Sequence, residues 1–543
     1  MIVGSERIVV IGGGIAGLAA SALLARDGHR VTLLEGREGF GGRAGSWSRD
    51  GFRFDTGPSW YLMPEVFDHF FRLFGTSAAE HLDLERLDPG YRVYADGYDA
   101  PLDIRGSRRE NVELFESVEP GAGAALERYL DSAASTYDIA RRRFLYTNFD
   151  GVRGLLAPEV LRGAGRLTSL LTTSLDRFAA RTVRDRRLRQ VLGYPAVFLG
   201  SSPTATPAMY HLMSHMDLEQ GVFYPRGGFT AVIEAIASIA ADAGVDLVPN
   251  ARVTAIELTE GADPTVTGVT FHDAAGASHR VPAHRVVSAA DLHHTETELL
   301  PAHARTYPES WWRRRTSGPG AVLAMLGVRG EVPGLAHHTL FFTEDWRENF
   351  GRIFGSNPSI PDPASFYVCR PSATDASVAP PGDSNLFVLV PVPADVGIGR
   401  GGEDGAGDRL VEATADRAIA VIAAATGAND LVERIAVRRT VGPADFAADL
   451  NSWRGGALGP AHTLRQSAFL RGSNRSRRVQ GLLYAGGSSV PGIGLPMCLI
   501  SAENVVKRVR GDRSSGPLAE PEAAGPGAVG PAPASGVRSR EGA

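Results

Sequence analysis

Three glycines near the amino terminus, Gly12, Gly14 and Gly17, follow the order G-x-G-x-x-G. That spacing serves a tight turn, a close backbone approach to a pyrophosphate, and close packing of a helix on a strand. Ile15 and Ala16 complete the turn, where a helix amino end offers free N–H groups and the positive end of its dipole to phosphates. Glu35 follows at roughly the 20-residue distance at which a carboxylate accepts both ribose hydroxyls. A carboxylate there disfavours a 2′-phosphate, so NADP is not expected; the fingerprint alone admits FAD or NAD. A second glycine-rich run, 484–497, holds Gly486, Gly487 and Gly494, then Leu495 and Met497, and precedes a helical pattern. It is another N–H-rich turn onto a helix, suited to an anionic partner.

The elements needed to position these turns are legible around them. A strand at 7–11, a helix at 15–26 and a strand at 30–35 surround the first turn; Ile15, Leu18, Ala22 and Ala25 share one helical face, and Gly28 suits the helix end. A second region has a helix over 230–243, strands at 245–248, 252–258 and 266–271, and a buried strand at 285–288. These sections predict a nucleotide domain in three pieces, 1–90, 222–309 and 476–511. Two insertions separate them: a mostly helical one at 91–221 and a mixed, substrate-binding one at 310–475. The tail 512–543, rich in Pro, Gly, Ala and Ser, is expected to be disordered.

Composition sets outer limits. With 543 residues, 43 % hydrophobic and 22 % charged, the chain reads as an ordinary folded protein. The net charge of -5 despite 56 Lys+Arg gives no bulk positive field to gather nucleic acid. Basic clusters at 141–143, 184–189 and 312–315 read either as solvated helix faces or as a patch for anionic lipid. Two cysteines, Cys369 and Cys498, offer no disulfide framework and no metal spacing, so a cytosolic setting is the expectation. The apolar run 8–11 is too short for a signal peptide, and no apolar stretch is long enough to span a membrane. His337-His338 invites a metal reading, but neighbours on a strand point to opposite faces and no spaced carboxylates accompany them; no metal is expected.

Further residues narrow the choice of cofactor. Glu35 is followed by Gly41-Gly42-Arg43 and then by Phe54-Asp55-Thr56-Gly57-Pro58. The pattern resembles the extended motif of the flavin family that includes amine oxidases, protoporphyrinogen oxidases and carotenoid desaturases. The resemblance implies FAD, with Gly42 and Arg43 by the pyrophosphate, Gly57 and Pro58 near the flavin, and the 484–497 loop closing over ring and ribityl. Ser489 stands where the family often has histidine, and Met497 at its last glycine, so no histidine is expected to do chemistry at this loop. Phe223 to Gly228 resembles the desaturases' W-F-P-R-G-G. Asn250 to Val253 matches their N-x-x-V strand, where the Val253 backbone is expected to meet the adenine. His337-His338-Thr339 and the run 367–382 resemble bacterial phytoene desaturases in particular. The likeness covers 7–510. It implies an α/β fold: a Rossmann-like FAD domain with a parallel sheet and a β-meander, a mixed-sheet substrate domain, and a helical membrane-facing insertion.

The implied activity is stepwise dehydrogenation of phytoene toward lycopene, with hydride passing to flavin and quinone or oxygen as final acceptor. A hydrocarbon gives no polar handle, so binding must come from apolar area at about 25 cal/mol per Å². Phe144, Tyr146, Phe149, Tyr194, Phe198 and Tyr210 are candidate tunnel residues, though each equally suits ordinary core packing. A lipid-dwelling substrate implies docking on the inner face of the cell membrane, with Leu170, Leu171 and Phe178 as candidate contacts. Asp185 and Arg189 resemble the family's D-x-x-L-R-Q stretch, the candidate acid/base pair; four apart, they are expected to share a helix face and pair. Two rival readings are a carotenoid isomerase or later-step desaturase on the same fold, and a non-catalytic isoprenoid-lipid carrier, against which the intact fingerprint argues.

Overall fold

The computed structural model describes residues 4–149 and 164–521. A five-stranded parallel sheet runs in the order Leu482–Tyr484, Arg285–Ser288, Arg7–Ile11, Arg30–Leu34, Asp246–Val248. It therefore gathers strands from all three expected pieces. The central strand is apolar from Ile8 to Ile11 because both its faces are covered there. Ile8 and Val10 face one core, shared with the helices Ile15–Arg26, Phe229–Asp242 and Leu495–Arg510. Val9 and Ile11 face another, shared with an antiparallel sheet of Arg252–Leu258, Val266–His272 and Ser278–Pro282. The alternation follows from the two-residue period of a strand.

A seven-stranded mixed sheet forms the second layer system, in the order Ile435–Val441, Gly320–Val328, Ser384–Val392, Phe366–Cys369, His338–Phe342, Tyr91–Ala95, Leu102–Ile104. Val322, Ala324 and Leu326 pack under the helix Arg409–Thr426. Ala321, Leu323 and Met325 pack against Phe52 and Phe54, which tie this sheet to the nucleotide domain. The helices Arg108–Val118, Ala122–Ala140, Leu175–Thr182 and Arg186–Gly193 contribute to a further core around Tyr91, Leu126, Leu188 and Tyr194.

One expectation is refined here and one corrected. The first insertion is mostly helical among the described residues, as expected, but opens with the strands Tyr91–Ala95 and Leu102–Ile104, and the first pairs in parallel with His338–Phe342 across a long sequence separation. Only tertiary pairing decides so non-local a ladder. The tail expected to be disordered from 512 packs down over its first ten residues. Leu518 is buried in the nucleotide-domain core, its N–H donates to Glu503 at 2.9 Å, and the buried Lys507 donates to the Ser514 and Gly516 carbonyls. Glu520 adds a hydrogen bond to His69 Nδ1 at 2.7 Å, so a segment whose composition favours solvent is held at several points. Residues 522–543 lie outside the described residues.

Candidate active site

The fingerprint turn is built from backbone contacts that admit no side chain. A Cβ on Gly17 would land on the Gly12 carbonyl oxygen, so the helix Ile15–Arg26 sits directly on the strand it follows. Gly12 has a φ of 99°, open to glycine at no steric cost, and its N–H donates to the Leu34 carbonyl at 2.8 Å. Gly14 caps the helix without a side-chain hydrogen bond, so Ile15, Ala16 and Gly17 start the helix with N–H groups free for an anion.

Two further segments close on this turn. Gly41 N–H donates to the Gly13 carbonyl at 2.9 Å, and a Cβ on Gly42 would stand 3.2 Å from the Gly14 Cα. From the other end of the chain, Gly486 lies against the Ala16 methyl, its hypothetical Cβ 3.6 Å away. Glu35 ends its strand beside the turn and accepts from the Gly13 N–H at 2.6 Å and the Arg37 N–H at 2.9 Å. Its carbonyl accepts from Ala251 N–H at 2.7 Å, which brings Val253, buried in the antiparallel sheet, to the same edge. Gly12, Gly14, Gly17, Glu35, Gly42 and Gly486 thus converge. A carboxylate beside a ring of bare N–H groups is a donor set that fits a dinucleotide: anion at the N–H groups, sugar hydroxyls at the carboxylate.

Arg43 leaves this ring and ties it to the mixed domain. Its Nε donates to the Ala457 carbonyl and its Nη2 to Ser452 Oγ, each at 3.0 Å, and Asp291 lies 3.9 Å away. A Cβ on Gly57 would collide with the Arg43 carbonyl, which fixes the Asp55-Thr56-Gly57-Pro58 turn beside it. Asp55 accepts from Phe229 N–H at 2.8 Å and Thr230 Oγ1 at 3.3 Å, at the amino end of a helix. Burial nevertheless outweighs these bonds and pushes its carboxyl up to about 6.

The late loop also meets groups that no sequence motif marks. Arg471, buried and pushed down to about 10 by loss of solvent, donates to the Gly487 carbonyl at 2.5 Å and the Ser489 carbonyl at 3.2 Å. Ile493, at the loop tip, reaches Gly200 of the first insertion. No histidine was expected at this loop; the structure corrects that by bringing His462 to it. A Cβ on Gly492 would overlap the His462 ring, the ring stacks on Tyr210 at 5.6 Å, and neither ring nitrogen has a hydrogen-bond partner among the described residues. Burial, then the Arg471 charge, lower its pKa and keep it neutral. His462 lies in no glycine motif; only the fold makes it a neighbour.

The candidate pair Asp185–Arg189 does not form. Asp185 stands outside the helix as its N-cap, accepting from Arg187 N–H at 2.9 Å and Leu188 N–H at 3.3 Å. Its ion pair is with Arg187, at 3.1 Å, while Arg189 is exposed. An Asp one residue before a helix is worth more as a cap than as an i,i+4 partner. Of the tunnel candidates, Tyr194 and Phe198 pack around Trp60 at 5.9 and 5.2 Å, next to the Gly57-Pro58 turn. Tyr210 lies at His462 and donates to Ser467 Oγ at 3.0 Å. Tyr146 is buried in the nucleotide-domain core, Phe149 packs edge-on to Phe469, and Phe144 is half-buried. Beneath Trp60, Asp217 accepts from Tyr194 at 2.8 Å and Tyr91 at 3.1 Å. Burial pushes its carboxyl up to about 7 against those two hydroxyls.

Comparison with known proteins agrees with this geometry. Residues 15–510 match the model of the flavin containing amine oxidoreductases. The chain belongs to that family. It is an FAD-dependent oxidoreductase. A carotenoid 3,4-desaturase of Haloarcula japonica is 42 % identical over 504 residues, covering 92 % of this chain and 97 % of that one. A zeta-carotene-forming phytoene desaturase of Myxococcus xanthus is 35 % identical, covering 93 % and 94 %. A solved putrescine oxidase bound to putrescine shares the fold, with a TM-score of 0.58 at 14 % identity, covering 93 % of this chain and 99 % of that one.

Two measurements check this site. Gly17→Ala drives a methyl into the Gly12 carbonyl, so the purified variant is expected to lose its yellow flavin absorbance while keeping its helical circular dichroism; full retention of flavin refutes the contact. Because the Asp217 carboxyl is raised from 3.8 to about 7, the folded state holds its proton longer than the unfolded state. Stability therefore falls as pH rises across that window and levels off above it. Asp217→Asn keeps an acceptor for both tyrosines and removes the titration. Its unfolding midpoint is expected to gain on the parent from pH 4 to pH 7 and hold that gain at pH 8.

Proposed function

We propose that this enzyme is a carotenoid desaturase, removing hydrogen from adjacent carbons of phytoene or a phytoene-like polyene. The convergence of the fingerprint turn, Glu35 and the Gly486 loop on one side, with the Trp60 aromatic cluster beside Gly57-Pro58 on the other, carries the reading. It places an apolar, aromatic wall next to a dinucleotide cradle, as a polyene substrate requires. The relatives' names support the substrate class, and two steps remain in view. Stepwise desaturation toward lycopene follows from the phytoene-desaturase likeness; the 42 % identity to a 3,4-desaturase favours a later carotenoid.

We assign the pyrophosphate to Gly12, Gly14, Ile15, Ala16, Gly17 and Gly42, the ribose to Glu35 and the adenine edge to Val253; Arg43, expected at the pyrophosphate, instead braces this ring against Ala457 and Ser452. Gly57, Pro58, Gly486, Gly487, Gly494, Leu495 and Met497 are assigned to the flavin end. When bound, FAD supplies the acceptor for the substrate's hydride, to be reoxidised by quinone or oxygen. The chain orients the polyene against the wall formed by the Trp60 cluster, whose aromatic rings also favour positive charge developing on it. The apolar cores around the site exclude water. Asp185 serves as a helix cap, so the departing proton is not assigned to it.

The substrate's solubility favours work on the inner, cytoplasmic face of a membrane. No helix of the described residues is long and apolar enough to cross one. Of the contacts expected from the sequence, Leu170 is buried and Phe178 packs on Tyr129 and His211; Leu171 alone is exposed. A cluster of exposed apolar side chains lies instead on the loop that carries His462 and Arg471: Phe469 is 61 %, Leu464 45 % and Leu470 43 % exposed. Arg465 shares that loop, and the Arg315 guanidinium donates to its carbonyl at 2.8 Å. Apolar tips among arginines suit an anionic lipid surface.

Anaerobic mixing with phytoene, and separately with a partly desaturated carotenoid, tests the reaction. The expected result is flavin bleaching with polyene absorption moving to longer wavelength for at least one; no bleaching with either rules out a desaturase. Sedimentation with anionic liposomes tests docking. Binding is expected for the parent and a fall of tenfold or more for Phe469→Asp, whereas a parent that stays in the supernatant sinks the membrane assignment.

A further inference from the structure

The sequence sets His337 and His338 on opposite faces of a strand and gives Cys369 no metal spacing. The structure corrects that premise. The strand begins at His338, so His337 belongs to the turn before it and is free of the strand's alternation. The two rings meet edge to face, 4.6 Å between centroids. His338 lies directly opposite Cys369 on the neighbouring antiparallel strand. All three residues are buried, and the ligand atoms of the set lie within 4.8 Å of one another.

Each histidine is held by one nitrogen and leaves the other unused. His337 Nδ1 is hydrogen-bonded to Thr374 Oγ1 at 2.8 Å. His338 Nδ1 is hydrogen-bonded to the Tyr367 hydroxyl at 2.7 Å, which is bonded in turn to Ser59 Oγ at 2.7 Å. Trp60 stacks on the His338 ring at 4.6 Å and 12° and fixes its plane. Both Nε2 atoms are buried without a hydrogen-bond partner. With each Nδ1–H donating to its hydroxyl, each Nε2 keeps a lone pair. This is the outer-shell arrangement that orients imidazole ligands on metals. An orphaned buried nitrogen is costly; two in one cluster with a buried thiol offer a donor set to a common occupant.

We propose that His337 Nε2, His338 Nε2 and Cys369 Sγ bind one soft monovalent cation, copper(I). Charge selects it. Thiolate and two neutral imidazoles around a monovalent ion leave no net charge in a buried site, whereas a divalent ion leaves one positive charge unpaid by any carboxylate of the set. Arg370 adds positive charge at His337 that outweighs the opposing charge of Asp375. Thiolate and imidazole are also the ligand types that soft copper prefers. The thiol, raised to about 12 by burial, releases its proton when the cation binds, and the proton leaves to solvent. Metal–ligand bonds of about 2.0–2.3 Å require the three side chains to draw together by about 1 Å. The ion would pin the mixed sheet to the Ser59-Trp60 turn.

Copper and zinc are measured by atomic emission in the dialysed full-length flavoprotein from copper-supplemented cells. The same is done for His337→Gln, Cys369→Ser and Cys498→Ser, with flavin content as the control for folding. About one copper per chain is expected in the parent and in Cys498→Ser, with a loss of tenfold or more in the other two. His337→Gln decides the matter alone if Cys369→Ser fails to retain flavin. The proposal is overturned by a parent without copper, by copper unchanged in the His337 variant, or by zinc in its place.

Discussion

Gly17 has no room for a side chain because the Gly12 carbonyl oxygen occupies it, and that contact sets the geometry of everything around it. It seats the helix Ile15–Arg26 on the strand Arg7–Ile11 and leaves the helix amino end bare. The strand, apolar on both faces, must then be covered twice. The helices Phe229–Asp242 and Leu495–Arg510 cover one face; the antiparallel sheet after Arg252 helps cover the other. Segments at opposite ends of the chain are thus drawn to a single sheet by burial of Ile8, Val9, Val10 and Ile11. The approach of Gly486 to Ala16 follows from that burial.

The interior so formed carries several polar groups whose bonds also hold a site element in place. Arg471 holds the loop through the Gly487 and Ser489 carbonyls; Asp55 holds the Phe229 helix to the Gly57 turn; Asp217 holds two tyrosines of the Trp60 cluster. Burying a polar group is tolerable when it is bonded, and each of these bonds converts that need into positional constraint. Other buried groups lack such bonds, among them both ring nitrogens of His462 and the Nε2 atoms of His337 and His338. His462 lies at the late loop against Tyr210, and His338 stacks on Trp60.

The same loop that carries His462 and Arg471 also exposes Phe469 and Leu470. A segment with one end buried against the Gly487 carbonyl and the other in solvent couples surface contact to loop position. Its length, a few residues between Arg465 and Arg471, leaves little slack between the two.

Local chemistry settled much of this protein in advance. The glycine spacing, the helix face of Ile15, Leu18 and Ala22, the carboxylate at Glu35 and the apolar strands are short-range patterns, and sequence alone reads them because steric fit and periodicity act within a few residues. Long-range burial decided the rest. It made Tyr91–Ala95 a strand beside His338–Phe342, packed Leu518 into a core, spent Asp185 on a helix cap, and set His462 against Gly492. It also gathered His337 and His338 beside one cysteine. None of these follows from neighbours in the chain, because each depends on which distant surface arrives to exclude water.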